Sequence, residues 1–370
     1  MKKSRILYGI WLLVWIFIWI VGQNQTAVFI AAASLLCEAA EIPLTRFICR
    51  NLSAEIQCSP SLQKNTELQI SLSMRNRTRF SCSRGECVIS CKNLLTAEKS
   101  TLSVPFALPG KSEEAVRKSI SLPRCGKILL NIEEVRCCDV FGIYRAKRHT
   151  ERSTASLVLP QLYPTNLSIA PGQVTDIESD EYSQYKAGFD ASETYALRSY
   201  KQGDSLKQIH WKLSQKADEL IVREFGLPIK NSLLILMDNT QQENTISAQP
   251  EIAEALGEIA ISLSMELCEQ NYEHHIAWMD QERNAIRHCE IDGEEALNAA
   301  MPDILAAGIR EDAQGVLARL AEANMEYAHI ILLTAGNGSM TELLPAETNI
   351  SVLDVREYQT FRENGIYAEV

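Results

Sequence analysis

A chain of 370 residues, 46% of them hydrophobic and 22% charged, is long enough for two or three folded units, each with its own core. Its formal net charge of -11 argues against a nucleic-acid partner, because neutralising phosphates takes surplus Lys and Arg. The acid is concentrated late: from Gly226 onward there are 7 basic against 25 acidic side chains, which suits either plain solvation or a basic partner.

The first feature in chain order is an uncharged run from Ile6 to Val21, ILYGIWLLVWIFIWIV, close to the length that crosses a bilayer. A second, weaker run extends from Ala27 to Cys37 and is interrupted by Glu38 and Glu41 ahead of Pro43. Together they predict a transmembrane hairpin over residues 1–50. Lys2, Lys3 and Arg5 precede it, Arg46 and Arg50 follow, and the connecting QNQT carries no charge. By the positive-inside rule both ends are cytoplasmic, giving a multi-pass protein of the cell membrane whose soluble domains face the cytosol. A cleaved signal peptide competes with this reading; the length of the run and its tryptophans, Trp11, Trp15 and Trp19, count against it.

From residue 51 to 164 the period becomes two. Leu68, Ile70, Leu72 and Met74 alternate with polar neighbours, as do Leu102, Val104, Phe106 and Leu108, and then Ile128, Leu130 and Ile132. Turn signals at Pro109-Gly110, Cys125-Gly126, Phe141-Gly142 and Pro160 separate the runs. Several short strands with one apolar face each predict a β-sandwich of immunoglobulin-like type. The chain's 11 cysteines form no paired C-x-x-C framework, and the odd total fits reduced, buried thiols in a reducing compartment.

Residues 165–230 are expected to form a polar linker followed by a distinctive segment, LRSYKQGDSLKQIHWKLSQKADELIVREF, from Leu197 to Phe225. Gly203 permits a turn and Asp204 can cap a helix carrying Leu206, Ile209 and Leu213 on one face; a strand follows over Glu219–Phe225. From 231 to 370 strands alternate with helices: SLLILMD, a helix with Leu256, Ile259, Leu263 and Leu267, HHIAWMD, two helical segments, HIILLTA and NISVLDV. That order predicts a mostly parallel, doubly wound α/β sheet. Ligands of such sheets gather at the carboxyl ends of strands, which singles out Asp238 and Thr334.

With these residues in view, the chain resembles the bacterial family called domain of unknown function 58. The resemblance rests on Tyr200, Gly203, Asp204, Ile209, His210, Trp211, Lys212, Val222, Arg223, Glu224 and Phe225, which follow the family's Y-x-x-G-D, I-H-W-K and V-R-E-F pattern. Asp139-Val140-Phe141-Gly142-Ile143-Tyr144 is similar to the family's D-P-F-G-L-F segment. The resemblance implies two membrane segments, a β-sandwich and a C-terminal von Willebrand factor A-like domain. It also implies a MoxR-type AAA+ ATPase as partner, with a transglutaminase-like membrane protein alongside. A von Willebrand factor A domain holds a divalent metal through D-x-S-x-S. Here Asp238 and Thr240 match, but Gln242 replaces the second Ser, and Thr334-Ala335-Gly336 stands where an acid is expected, leaving a degenerate magnesium site.

The expectation is a membrane-anchored, non-enzymatic scaffold. Tyr200, Gly203, Asp204, His210, Trp211, Lys212, Arg223, Glu224 and Phe225 then form an interaction segment or a brace between domains, with no catalytic residue and no cofactor. The alternative is an exported, metal-dependent adhesion module built on Asp238 and Thr240. An enzyme using His210 or a cysteine is disfavoured, because neither stands at nucleophile-and-base spacing.

Overall fold

The computed structural model describes residues 2–23, 25–168, 182–188, 190–199, 210–217, 220–228, 233–241, 250–280, 285–311, 315–323, 327–335 and 349–369. The protein is mixed α/β, with two N-terminal apolar helices and several sheets, and divides into two compact units, Met1–Gln161 and Leu162–Val370.

Unit 1 opens with α1 (Lys2–Gly22) and α2 (Gln25–Asn51), both long and apolar enough to cross a membrane. Tyr8 Oη on α1 donates to Ser34 O on α2 at 2.9 Å, and Ser34 Oγ turns back to Ile30 O at 2.7 Å, so these polar atoms of the hairpin pair internally. The second helix is longer than its apolar run. It passes through Glu38, Glu41 and Pro43 without a break, and its last turns bury Thr45, Ile48 and Cys49. Packing of that face offsets the backbone hydrogen bond that a proline removes.

Eight strands follow: β1 (Leu52–Cys58), β2 (Ser61–Gln63), β3 (Glu67–Asn76), β4 (Cys82–Asn93), β5 (Lys99–Leu108), β6 (Glu113–Ser121), β7 (Gly126–Cys138) and β8 (Arg145–Leu159). They form a three-stranded sheet, β1-β3-β6, and a five-stranded sheet, β2-β8-β7-β4-β5. All pairings are antiparallel except β2 with β8. The alternation read at Leu68, Ile70, Leu72 and Met74 is realised in β3, where those four are buried. One hydrophobic cluster draws on both sheets: Ile70 and Leu72 come from β3, Cys87 and Ile89 from β4, Leu130 and Ile132 from β7, with Ile48 and Cys49 of α2. Burying a large aliphatic side chain contributes about 1.5–3 kcal/mol, so the last turns of α2 belong to the core as fully as the strands do. The cysteines stand as free thiols, and Cys49, Cys82, Cys87, Cys91 and Cys137 lie inside this cluster as small apolar groups.

Unit 2 differs from expectation in its first part. The stretch read as linker carries β9 (Thr165–Ser168), β10 (Tyr182–Gly188) and β11 (Asp190–Ser199), followed by α3 (Trp211–Ala217) and β12 (Ile221–Pro228). β12 runs antiparallel between β10 and β11, with irregular register in both pairings. Residues such as YSQYKAG have neither a period of two nor a run of β-branched side chains, so their strand character comes from pairing.

The remaining elements are β13 (Leu233–Met237), β14 (Thr240–Gln241), α4 (Pro250–Glu269), β15 (His274–Met279), β16 (Ile286–Ile291), α5 (Glu294–Ile304), β17 (Arg310–Glu311), α6 (Gly315–Glu322), β18 (His329–Thr334), β19 (Asn349–Asp354), α7 (Tyr358–Asn364) and β20 (Ile366–Glu369). Five of them make the sheet β16-β15-β13-β18-β19, parallel except for the edge strand β16. Every residue of β13 and β18 is buried, so both faces of the sheet centre are covered. Leu234, Leu236, Ile330 and Leu332 pack with Val316, Leu317 and Leu320 of α6, while α4 is buried along most of its length against β13, β15 and β18. β20 pairs in parallel with β9, closing the two ends of the unit on each other.

Candidate functional site at the carboxyl ends of the sheet

β13 ends at Met237, and the next three residues form a polar group held by several hydrogen bonds. The Asp238 amide continues the pairing with β18 by donating to Leu333 O at 2.8 Å. Thr240 Oγ1 donates to Asp238 Oδ1 at 2.6 Å, and Thr334 Oγ1, at the end of β18, donates to Asp238 Oδ2 at 2.8 Å. The Thr240 amide adds a bond to Oδ1 at 3.2 Å. Both carboxylate oxygens are therefore held by hydroxyls from two separate chain segments. Asp238 is half-buried and Thr334 is buried. The sequence pointed to Asp238 with Thr334, and to Asp238 with Thr240; the fold brings all three together.

Asn239, fully buried, was not legible in the sequence. Its Nδ2 donates to Met279 O at 2.9 Å and to Gly308 O at 3.1 Å, and its Oδ1 accepts from the Met279 amide at 2.9 Å. One amide side chain thus ties the end of β13 to the end of β15 and to the loop after α5. A polar residue straight after an apolar strand is the only signal for it, and many strand ends share that signal. Arg310 completes the edge. Its amide donates to Asn239 O at 2.8 Å and its Nη1 to Asp280 O at 3.1 Å, in register with the short parallel pair β14–β17.

As a magnesium site the described donor set is short. It holds one carboxylate, whose two oxygens already accept hydroxyl protons, and two neutral hydroxyls, with the Arg310 guanidinium anchored at the neighbouring strand end. Magnesium demands near-octahedral oxygen ligation, commonly including at least one free carboxylate oxygen. Gln242 and Gly336 lie outside the described residues.

The described part of the signature segment is held together by local hydrogen bonds. His210 stands immediately before α3, and its Nδ1 accepts from the Leu213 amide at 3.3 Å, filling the role of a helix cap. Its own amide donates to Ile221 O at 2.8 Å. Ser214 Oγ accepts from the Ile221 amide at 2.9 Å and reaches the carbonyls of His210 and Ile221 at 3.1 and 3.4 Å. These bonds knot α3 to β12. Trp211 and Lys212 lie on α3, and Arg223, Glu224 and Phe225 lie on β12 opposite Leu197, Ala196 and Thr194. Tyr200, Gly203 and Asp204 lie outside the described residues, as do the side chains of Trp211, Arg223, Glu224 and Phe225.

Residues 196–334 match the family model described as Protein of unknown function DUF58. The matched span starts in β11 and ends on Thr334, so it contains His210 with its bonds to β12 and the whole Asp238–Thr240–Thr334 cluster. The DUF58 match supports the resemblance carried by the signature segment. No curated protein matches the chain. Among solved structures, the CARDB domain of a Pyrococcus furiosus protein, in complex with di-metal ions, is similar at 9% identity and a TM-score of 0.22, over 29% of this chain and 87% of that one. A β-glucosidase from Listeria innocua is similar at 8% identity and 0.21, over 29% and 16%. The DNA-bound alkylpurine DNA glycosylase AlkC of Pseudomonas fluorescens is similar at 8% and 0.21, over 35% and 38%.

Proposed function

We propose that this protein is a membrane-anchored, non-enzymatic scaffold that binds partner proteins, with a MoxR-type AAA+ ATPase as the principal one and a transglutaminase-like membrane protein as a second. In this reading α1 and α2 are a transmembrane hairpin and the soluble units face the cytoplasm. The two sheets of unit 1 form an immunoglobulin-like β-sandwich, and the sheet β16-β15-β13-β18-β19 with its helices is a von Willebrand factor A-like domain that acts as the recognition platform.

The observation that carries it is the state of the strand-end carboxylate. Asp238 has both oxygens engaged by the hydroxyls of Thr240 and Thr334, an arrangement that supports shape and rigidity at the edge where such folds meet ligands. His210, engaged as a cap and tied to Ser214 and β12, supports a bracing role for the signature segment. The acidic balance after Gly226 supports a basic partner surface.

The test is co-purification of the full chain from native membranes in mild detergent. The expected result is recovery of an AAA+ ATPase, lost when the α3–β12 knot is cut by Ser214→Ala. Repeated recovery of the intact, folded protein with no ATPase counts against the scaffold reading. The convergence of Asp238, Thr240 and Thr334 also favours a second reading, an exported metal-dependent adhesion module. External protease added to intact cells separates the two: a protected C-terminal tag removes the exported version.

A further inference from the structure

One end of unit 1 carries apolar side chains that its own core leaves uncovered, and strand register fixes which end it is. β1 begins at Leu52, directly after α2, and Leu52 pairs with Asn76. Cys138 at the end of β7 pairs with Arg84 and with Arg145. Arg148, three residues into β8 from Arg145, donates through Nη1 to Arg50 O at 2.7 Å and to Leu52 O at 2.6 Å, so the turn over residues 139–144 lies at the same end of the sheets as the last turn of α2.

That turn is tied to both helices. Arg5 Nε of α1 donates to Ile143 O at 2.8 Å. Arg46 Nε of α2 donates to Tyr144 Oη at 2.5 Å, with its guanidinium 5.3 Å from the centre of the Tyr144 ring. Gly142 has φ +71, and a Cβ there would stand 3.3 Å from Ser4 Oγ and 3.2 Å from Arg84 Nη1, so the turn lies directly against the start of α1. The backbone is fixed from within as well: the Ile143 amide donates to Asp139 Oδ1 at 2.8 Å, and the Asp139 amide to Tyr144 O at 3.2 Å. On this rigid loop Val140 is 67% exposed and Phe141 52%.

Helix geometry sets the depth. The 21 residues of α1, rising about 1.5 Å each, span about 30 Å, the thickness of a hydrocarbon core. Ser4 and Arg5 then mark one face of the bilayer, and Ile143, bonded to Arg5, lies at that face. α2, with 27 residues, exceeds one crossing, and its surplus is the final part that packs into unit 1, which brings Arg46 to the same boundary.

We propose that the turn Asp139–Tyr144 is a membrane-surface contact, with Val140 and Phe141 seated in the interfacial zone of the phospholipid bilayer and Arg5, Arg46 and Arg84 placed for lipid phosphates. The occupant is lipid because the helices that hold the turn fix its height at the bilayer boundary. Its chemistry agrees, since an aromatic tip ringed by arginines suits the headgroup layer. The contact gives unit 1 a second foothold besides α2 and sets its tilt on the membrane. This inference rests on the reading that α1 and α2 cross the bilayer.

The test uses the full chain reconstituted in vesicles of phosphatidylethanolamine and phosphatidylglycerol, with photoreactive benzoylphenylalanine introduced at one position at a time. Position 141 tests the turn, with position 140 as a second probe of the same loop. Position 17, exposed within the apolar second half of α1, reports the crossing, and position 129, an exposed site towards the other end of β7, is the background. Phospholipid adducts at 17 and at 141 or 140, with none at 129, are expected by mass spectrometry. Adducts at 17 with none at 141 or 140 overturn the proposal while leaving the anchor standing. Equal adducts at 141 and 129 overturn it as indiscriminate contact. No adduct at 17 overturns the crossing itself, and the proposal with it.

Discussion

Thr334 Oγ1 donates to Asp238 Oδ2 at 2.8 Å, joining the ends of two neighbouring parallel strands across 96 positions of sequence. Thr334→Val keeps the shape and removes the donor, leaving a half-buried carboxylate oxygen with one partner fewer. The expected loss is about 1–2 kcal/mol in chemical denaturation, restored by Thr334→Ser. An unchanged midpoint would show that the pair carries no weight.

Magnesium should add little to this cluster. Titration calorimetry with the metal alone is expected to show no saturable binding, and chelation is expected to leave the melting temperature where it was. A stoichiometric, tight site abolished by Asp238→Ala would reverse the reading of the donor set and favour the adhesion alternative.

Glu258 on α4 has its side chain only 1% exposed, and Arg362 on α7 meets it at 3.3 Å, with Tyr163 Oη donating to the same oxygen at 3.4 Å. Arg362→Ala removes the cationic partner of a buried carboxylate that keeps its Tyr163 contact, and about 1.5–3 kcal/mol of stability should go with it. Adding Glu258→Gln should recover part of the loss. If the single variant melts like the parent, the ion pair is not holding α7 to α4.

His274 gives unit 2 an acid limit. Its Nδ1–H donates to Tyr272 O at 3.0 Å, its Nε2 accepts from Ser264 at 2.6 Å, and burial lowers its pKa to about 4. Unfolded, the imidazole titrates near 6.5. Between those values only the unfolded chain binds the proton, so stability is full above about 6.5 and falls as pH drops towards about 4. The contribution at stake is about 3 kcal/mol. Denaturation midpoints that stay flat across that window would contradict this account.

Cys87 of β4 is fully buried, and burial pushes its thiol up to about 12. Alkylation of the native protein at mildly alkaline pH should spare Cys87 and modify the half-buried Cys58 and Cys138. Prompt labelling of Cys87 would mean that β4 opens readily.

The legible parts of this fold are those where one physical rule acts alone. Leu68, Ile70, Leu72 and Met74 alternate because one sheet face is dry, and the apolar runs Leu233–Met237 of β13 and Ile330–Leu333 of β18 follow from burial on both faces. The strands β10 and β11 read as linker because pairing with β12, and not side-chain pattern, makes them strands. The apolar run of α2 is interrupted at Glu38 and Glu41, ahead of Pro43, yet the helix continues to Asn51, with Thr45, Ile48 and Cys49 buried in its last turns. At the site, Asp238 announced itself by following an apolar strand. Asn239, the residue that binds three elements together, offers no pattern, because its partners are backbone atoms of Met279 and Gly308 that only the fold brings near.

No residue separates Asn51, where α2 ends, from Leu52, where β1 begins. The junction works as a stiff axle: a turn of the helix about its long axis swivels the strands it leads into, with no slack to absorb it. One alanine inserted after Asn51 would rotate the joint by about 100°, setting the axle's phase against the core that Ile48 and Cys49 share with the sheets. Torque, and not only attachment, can therefore pass from the hairpin to the body it carries.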